Sequence, residues 1–197
     1  MISELSGIAR RKSQDSVTVD VNGVGFDIMV TPNLIERIDL GSQVHLFTRL
    51  IVKDDGWSLY GFGSLEERTC FDLLQNVKGI GPKLALGILS ALPPDEFYRA
   101  VLQNDERVLT RLPGVGKKTA ARIVVELRDR IGLRTPSLDE EQGPPSGDLL
   151  LEAVEALTAL GYSWQEARNA VEKAMLDSQH DNLEKLLREA LRRLARV

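Results

Sequence analysis

Two stretches of the chain place glycines and lysines where a negatively charged ligand could bind. Residues 78–89 read KGIGPKLALGIL, and residues 113–124 read PGVGKKTAARIV. In both, a Gly-x-Gly turn comes directly before a run with helical spacing. Free backbone N–H groups and the helix dipole favour negative charge at such a position, so the pattern predicts that each turn binds a phosphate.

The two stretches match at an offset of 35 residues, which indicates a repeated unit of one helix, a tight turn and a second helix. Glycines at the turns permit a positive φ or a close approach of the backbone to a ligand. Lys83 and Lys118 fall at the same place in the two copies, early in the second helix, where they could reach a phosphate. The predicted DNA-contacting residues are the turn glycines and the cations that follow them: Gly79, Gly81, Lys83, Gly114, Gly116, Lys117, Lys118 and Arg122.

The repeat resembles the helix-hairpin-helix motif, which implies binding to the DNA backbone without reading of the base sequence. A nucleotide-binding P-loop is a poor alternative, because Arg111 stands where its first glycine belongs and Lys118 stands where Ser or Thr should follow the lysine. The second turn is also similar to that of helix-hairpin-helix DNA glycosylases, in which Lys118 would be a Schiff-base nucleophile. The catalytic aspartate of that family has no counterpart, since the matching region reads RTPSLDEEQ.

A pair of acidic residues, Asp54 and Asp55, occupies the tip of a predicted hairpin that reads VKDDGW. The simplest interpretation is a turn in which Asp makes local hydrogen bonds and Gly56 supplies a positive φ. Paired carboxylates can also bind a metal or act as acid and base, but no third ligand is close in the sequence. No metal site and no cofactor are expected.

Composition excludes several classes of protein. The 197 residues are 43% hydrophobic and 27% charged, which is typical of globular proteins, and Cys70 is the only cysteine. The chain lacks an apolar segment long enough to cross a bilayer, so we expect a cytoplasmic protein without a membrane partner. The net charge is −4, yet residues 65–134 carry 12 lysines and arginines against 9 acidic residues. This segment, which contains both Gly-x-Gly turns, is the predicted nucleic-acid binding part of the chain.

Four segments follow from the hydrophobic pattern. Residues 1–64 alternate as short strands and predict a small closed barrel of the oligonucleotide-binding type. Residues 65–134 have helical spacing and contain the repeat. Residues 135–147 are rich in proline, glycine, serine and acids and predict a flexible linker. Residues 148–197 predict a three-helix bundle, so the fold class is α+β and multidomain.

Over its whole length the chain resembles the RuvA family of Holliday-junction-binding subunits. The features that carry the resemblance are the barrel with an acidic hairpin before LYGF, the tandem helix-hairpin-helix motifs, the linker and a C-terminal ALTALGY segment. The resemblance implies a homotetramer, or two face-to-face tetramers, that binds a four-way DNA junction and holds it open and square. It also implies that Asp54 and Asp55 form an acidic pin near the crossover, and that the chain itself is not an enzyme.

The same resemblance implies further protein partners. A hexameric AAA+ ATPase of the RuvB type would dock on the C-terminal bundle, and a junction resolvase is a second expected partner. The bundle is also similar to ubiquitin-associated domains. The residues expected to contact the motor surround the Gly161 turn or lie on the last helix: Leu157, Leu160, Tyr162 and Leu191.

Overall fold

The computed structural model describes residues 1–54, 56–134, 146–177 and 182–194. It divides into two compact units, Met1–Arg128 and Asp129–Val197. The first unit holds a barrel and the helices that follow it as far as Arg128, and the second begins at Asp129 and holds the C-terminal bundle. The predicted linker, residues 135–147, lies almost entirely outside the described residues, so its flexibility stays a prediction.

Five strands form a closed barrel in the order β1-β2-β3-β5-β4. They are β1 (Glu4–Lys12), β2 (Ser16–Val21), β3 (Val24–Met29), β4 (Gln43–Lys53) and β5 (Gly56–Phe62), with helix α1 (Pro32–Arg37) between β3 and β4. All neighbouring pairs are antiparallel except β3 with β5, which is parallel. Closure pairs every strand on both sides and so removes the open edges of a small sheet, as the sequence predicted.

Successive side chains of each strand point alternately into and out of the barrel, and the inward-facing apolar ones form its core. Val17, Val19, Ile28 and Leu46 point inward and are at most 2% exposed. The β2–β3 turn lies at Asn22-Gly23, where both residues have positive φ, 52° and 90°. Two successive residues with positive φ form a two-residue hairpin turn whose twist matches that of the strands it joins.

Five helices follow the barrel within residues 65–134, and they carry the repeat. They are α2 (Leu65–Gln75), α3 (Pro82–Ala91), α4 (Pro94–Leu102), α5 (Glu106–Leu109) and α6 (Lys117–Arg134). Ser64 caps α2 by accepting from the Glu67 N–H at 3.1 Å. Cys70 lies on the buried face of α2, and burial raises the pKa of its thiol to about 12.

The barrel is joined to α2 by aromatic packing and by an ion pair. Phe71 packs between Phe62 and Tyr60, with ring centroids 5.0 and 5.2 Å away. Arg49 of β4 makes a two-pronged ion pair with Asp72, its Nε lying 2.6 Å from Oδ1. Because Arg49 and Asp72 are only partly exposed, these contacts hold β4 and α2 in one orientation.

Three helices form the C-terminal bundle: α7 (Ser146–Ala159), α8 (Trp164–Asp177) and α9 (Leu183–Leu194). Its core is built from small and aliphatic residues such as Ala153, Leu157, Val171 and Leu186, each 0% exposed. Ser163 and Glu166 form a reciprocal cap at the start of α8, and hydrogen bonds from Ser163 lower the pKa of Glu166.

The α+β multidomain class is confirmed. In the described part of the chain, no helix is both long and apolar enough to span a bilayer.

Candidate nucleic-acid interface

The 35-residue repeat is a repeat of structure as well as of sequence. The Ile80 N–H donates to Val77 O at 3.0 Å, and in the second copy the Val115 N–H donates to Leu112 O at 3.1 Å. Both Ile80 and Val115 are 5% exposed, so the middle residue of each Gly-x-Gly turn is anchored in the core. Each turn therefore presents its two glycines outward around a buried hydrophobic residue.

The two glycines of each turn have different geometry. Gly79 and Gly114 have positive φ, 95° and 73°, which non-glycine residues adopt only at a cost. Gly81 has an ordinary φ of −88° and caps α3 without any side-chain hydrogen bond. A Cβ added at Gly81 or Gly116 would meet nothing within 4 Å. The second glycine of each turn is thus open to an approaching ligand instead of being required by the backbone.

Backbone N–H groups at the two helix starts are available to an anion. The first α-helical bonds in these regions are Ala85 N–H to Gly81 O and Ala120 N–H to Gly116 O, both 2.9 Å. The N–H groups of Lys83 and Lys118 precede those bonds and have no intrahelical acceptor. Because these N–H groups lie at the positive end of a helix dipole, each turn can hold a phosphate.

The lysines predicted to contact DNA lie on the surface at both turns. Lys83 follows the first turn, and Lys117 and Lys118 follow the second, and all three are exposed. Their ammonium groups can move to a phosphate without uncovering any buried surface. Backbone N–H groups and lysines in this arrangement are suited to phosphates and carry no groups that read base edges, so contact with DNA here would not depend on the base sequence.

Arg122 has a contact that the sequence pattern does not reveal. Its Nη1 donates to Lys78 O at 2.6 Å, and its Nε lies 3.8 Å from Glu126 Oε1. The Lys78 N–H in turn donates to Glu126 Oε2 at 3.3 Å. Two neighbouring side chains of α6 therefore grip the backbone that enters the first turn, and Arg122 joins the two hairpins to each other.

The acidic hairpin projects beyond the barrel. The β1 strand pairs with β4 only up to Phe47, and β3 pairs with β5 only at Leu59 and Tyr60. The last three rungs of the β4–β5 hairpin, from Ile51 to Lys53 on β4, have no other strand beside them. Asp54 follows as an exposed turn residue. Asp55 lies outside the described residues, so its place at the tip is taken from the sequence.

Comparison with known proteins matches all three parts of the chain. Residues 1–61 match the RuvA N terminal domain, residues 71–129 the SAM-like helix-hairpin-helix tandem, and residues 148–195 the RuvA C-terminal domain. A protein of Desulforamulus reducens named Holliday junction branch migration complex subunit RuvA is 42% identical, covering 99% of this chain and 98% of its own. The chain belongs to the RuvA family.

Other relatives carry the same name and match over nearly the whole length. The protein of Herpetosiphon aurantiacus is 40% identical, with 94% of this chain and 95% of its own covered. That of Idiomarina loihiensis is 39% identical over 99% of this chain and all of its own. The segments that the family models match correspond to the barrel, the tandem hairpins and the C-terminal bundle.

The four residues expected to bind a motor differ in their exposure. Leu157 is 0% exposed and belongs to the core of the bundle, so we remove it from the docking surface to which the sequence assigned it. Leu160 is 65% exposed beside Gly161, whose φ is 101°. Tyr162 and Leu191 are half-buried against the core and still present an outer edge. Leu160 is therefore the strongest candidate of the four.

Proposed function

We propose that this chain binds four-way DNA junctions through their shape, holds them open as a tetramer, and recruits a hexameric ATPase motor that moves the branch point. The observation that supports this most directly is the pair of matching turns at residues 79–81 and 114–116, each with open space at its second glycine and free backbone N–H groups at the following helix start. We call these two turns the phosphate cradles. Two cradles on one compact unit can hold two phosphates of one DNA arm. The printed name of the relatives, a branch migration complex subunit, supports the same function.

The acidic hairpin accounts for selectivity in this proposal. Each chain has two carboxylates at the hairpin tip, and four chains around one axis would bring eight near the crossover. Negative charge there repels phosphates, so the strands are not gripped where they must exchange partners. The basic turns hold the arms while the acidic centre leaves the branch point free to move. A linear duplex crossing this centre would bring phosphates against the carboxylates and would bind less tightly.

The proposed function is tested by competition between two DNA ligands. Full-length protein is bound to a labelled four-way junction and challenged with unlabelled junction or with linear duplex of the same arm sequence. We expect the junction to compete far more effectively than the duplex at equal nucleotide concentration. Equal competition by the duplex would reject shape-selective binding. Light scattering with and without the junction gives the number of chains per complex and so tests the tetramer.

A repair glycosylase that uses Lys118 as a nucleophile is not favoured, because the relatives are named as junction subunits. The product that distinguishes such a glycosylase is a covalent adduct between the protein and abasic DNA. Borohydride treatment of the protein with abasic DNA should leave no cross-linked species, and the Lys118→Ala variant serves as the matched control. A cross-link in the wild-type protein that the variant lacks would establish the glycosylase or lyase reaction instead.

A further inference from the structure

The inner face of the barrel continues onto the acidic hairpin. Leu50 and Leu59 face each other across β4 and β5 and pack on the barrel core. Two residues further out on the same face, Val52 and Trp57 are paired in the same way. At this point neither β1 nor β3 lies alongside. The apolar row therefore emerges from the barrel and ends uncovered at the hairpin.

Val52 and Trp57 are exposed to an unusual degree for such residues. Trp57 is 77% exposed and Val52 is 60% exposed. Because directly opposed residues on one face have Cβ atoms about 5 Å apart, the two side chains form one continuous apolar patch. A contiguous apolar patch of this kind at the end of a hairpin is a candidate binding surface.

The charge beside this patch restricts what can cover it. Asp54 follows Lys53, the β4 partner of Gly56, and carries an exposed carboxylate next to the patch. A phosphate would be repelled by this carboxylate, whereas an uncharged base would not. A second copy of the same patch would bring its own carboxylates against the first, so direct packing of one patch on another is also opposed. The flat π-face of an uncharged nucleobase satisfies both conditions.

We propose that Trp57, supported by Val52, is a stacking platform for a nucleobase exposed at the crossover of a four-way junction. This inference rests on the proposed function, since it requires the acidic hairpin to face the crossover. Bases at a branch point are unstacked on one side, and every base has a π-face that an indole ring can cover. The carboxylates repel the backbone while the ring holds the base, so the hairpin selects the exposed base over the phosphates around it.

The first test reads the fluorescence of Trp57 in the full-length protein. Trp57 and Trp164 are the only tryptophans, and Trp164 lies in the C-terminal bundle, so Trp164→Phe leaves Trp57 as the single reporter. We expect a marked loss and shift of emission when a four-way junction is added, and little change with linear duplex. Emission that does not change with the junction, or that changes equally with duplex, overturns the proposal.

The second test measures affinity. Trp57→Ala should weaken junction binding between about fivefold and a hundredfold, because stacking on an aromatic side chain is typically worth that much, while duplex binding stays unchanged. Trp57→Phe should keep most of the affinity. Leu40→Ala is the matched control, since Leu40 is 60% exposed and precedes the opposite end of β4. Wild-type junction affinity in Trp57→Ala would reject the platform, and a thermal melt of each variant shows that it is folded.

Two further outcomes are distinguishable. If Trp57 emission in the absence of DNA follows the protein concentration together with the oligomeric mass, the patch is covered by a second copy and the base platform is rejected. If the wild-type protein shows no preference for junction over duplex, the proposed function itself fails. Preference for the junction without any response of Trp57 rejects only the stacking inference.

Discussion

At the scale of single residues, the two glycines of each turn are present for different reasons. Gly79 is needed by the backbone because its φ is 95°, and Gly81 leaves open space at a backbone of ordinary φ. Gly79→Ala should lower the free energy of unfolding by about 1–2 kcal/mol, the cost of a left-handed residue. Gly81→Ala should leave stability unchanged and weaken DNA binding, because its methyl group enters the space where a phosphate would lie.

Denaturant unfolding and junction titration of the two variants separate these effects. The corresponding pair in the second copy, Gly114→Ala and Gly116→Ala, provides an independent repetition. At Gly114 a Cβ would also lie 2.9 Å from the Leu84 side chain, so this variant should be the less stable of the two positive-φ changes. Wild-type DNA affinity in both Gly81→Ala and Gly116→Ala would contradict the phosphate-cradle assignment.

The exposed lysines at the turns should contribute to junction affinity through their charge alone. Lys83→Ala and Lys118→Ala should each weaken junction binding, independently of base sequence. Each should also reduce the slope of log affinity against log salt by about 0.9, the release of one counterion. Lys173→Ala, an exposed lysine in the C-terminal bundle, is the control and should change neither quantity. An unchanged salt slope in both turn variants would show that these lysines do not contact phosphates.

At the scale of elements, α6 sets the position of the first turn relative to the second. Arg122 donates to Lys78 O, and Glu126 accepts from the Lys78 N–H. Arg122→Ala should therefore weaken junction binding more than the loss of a single phosphate contact would, because the first cradle is no longer held in position. Arg122→Lys keeps the charge but cannot reproduce the forked geometry, so it should recover only part of the affinity.

The salt dependence of junction binding by these variants shows whether Arg122 positions the first turn or contacts a phosphate. If Arg122 acts by positioning, Arg122→Lys should keep the wild-type salt slope while its affinity is reduced at every salt concentration. Hydrogen exchange at residues 78–81 should rise in Arg122→Ala in the absence of DNA. Unchanged exchange there, together with full recovery of affinity by lysine, would indicate that Arg122 only contacts a phosphate.

The elements and their repeat could be predicted because their signals are local in sequence. Strand alternation, Asn22-Gly23 and the two Gly-x-Gly turns each depend on neighbouring residues, and all of them appear in the structure. Contacts between distant residues left no such signal. The Arg49–Asp72 ion pair joins β4 to α2, and Arg122 meets Lys78 across 44 positions of the chain. An exposed Trp57 also looks like an ordinary strand residue until the barrel strands beside it are known to end.

Burial corrected the assignment of one site residue. Leu157 and Leu160 have the same type and lie three positions apart, so helical spacing alone could not say which of them faces the core. The structure gives 0% exposure to Leu157 and 65% to Leu160. Leu160 directly follows α7, in the turn at Gly161 that leads to α8. The difference depends on the packing of α7 with α8 and α9.

At the scale of the whole molecule, DNA binding and motor recruitment should be separable. Barrel and hairpins lie in the unit Met1–Arg128, and the bundle lies in the other unit. A truncation after residue 143 should still bind a four-way junction with near wild-type affinity, but should fail to stimulate the ATPase of the motor. Leu160→Asp in the full chain should have the same effect if the bundle stays folded by circular dichroism. Loss of junction binding in the truncation would contradict this division.

In the proposed function, basic turns hold the arms of a junction while an acidic hairpin excludes phosphates from its centre. The most direct measurement is the ratio of junction to duplex affinity in wild-type protein and in Asp54→Asn/Asp55→Asn, at low and at physiological salt. Asn keeps much of the turn hydrogen bonding and removes only the charge. We predict that duplex affinity rises and the ratio falls in the variant, most strongly at low salt, because screening acts over about 8 Å at physiological salt. An unchanged ratio at both salt concentrations would contradict the claim.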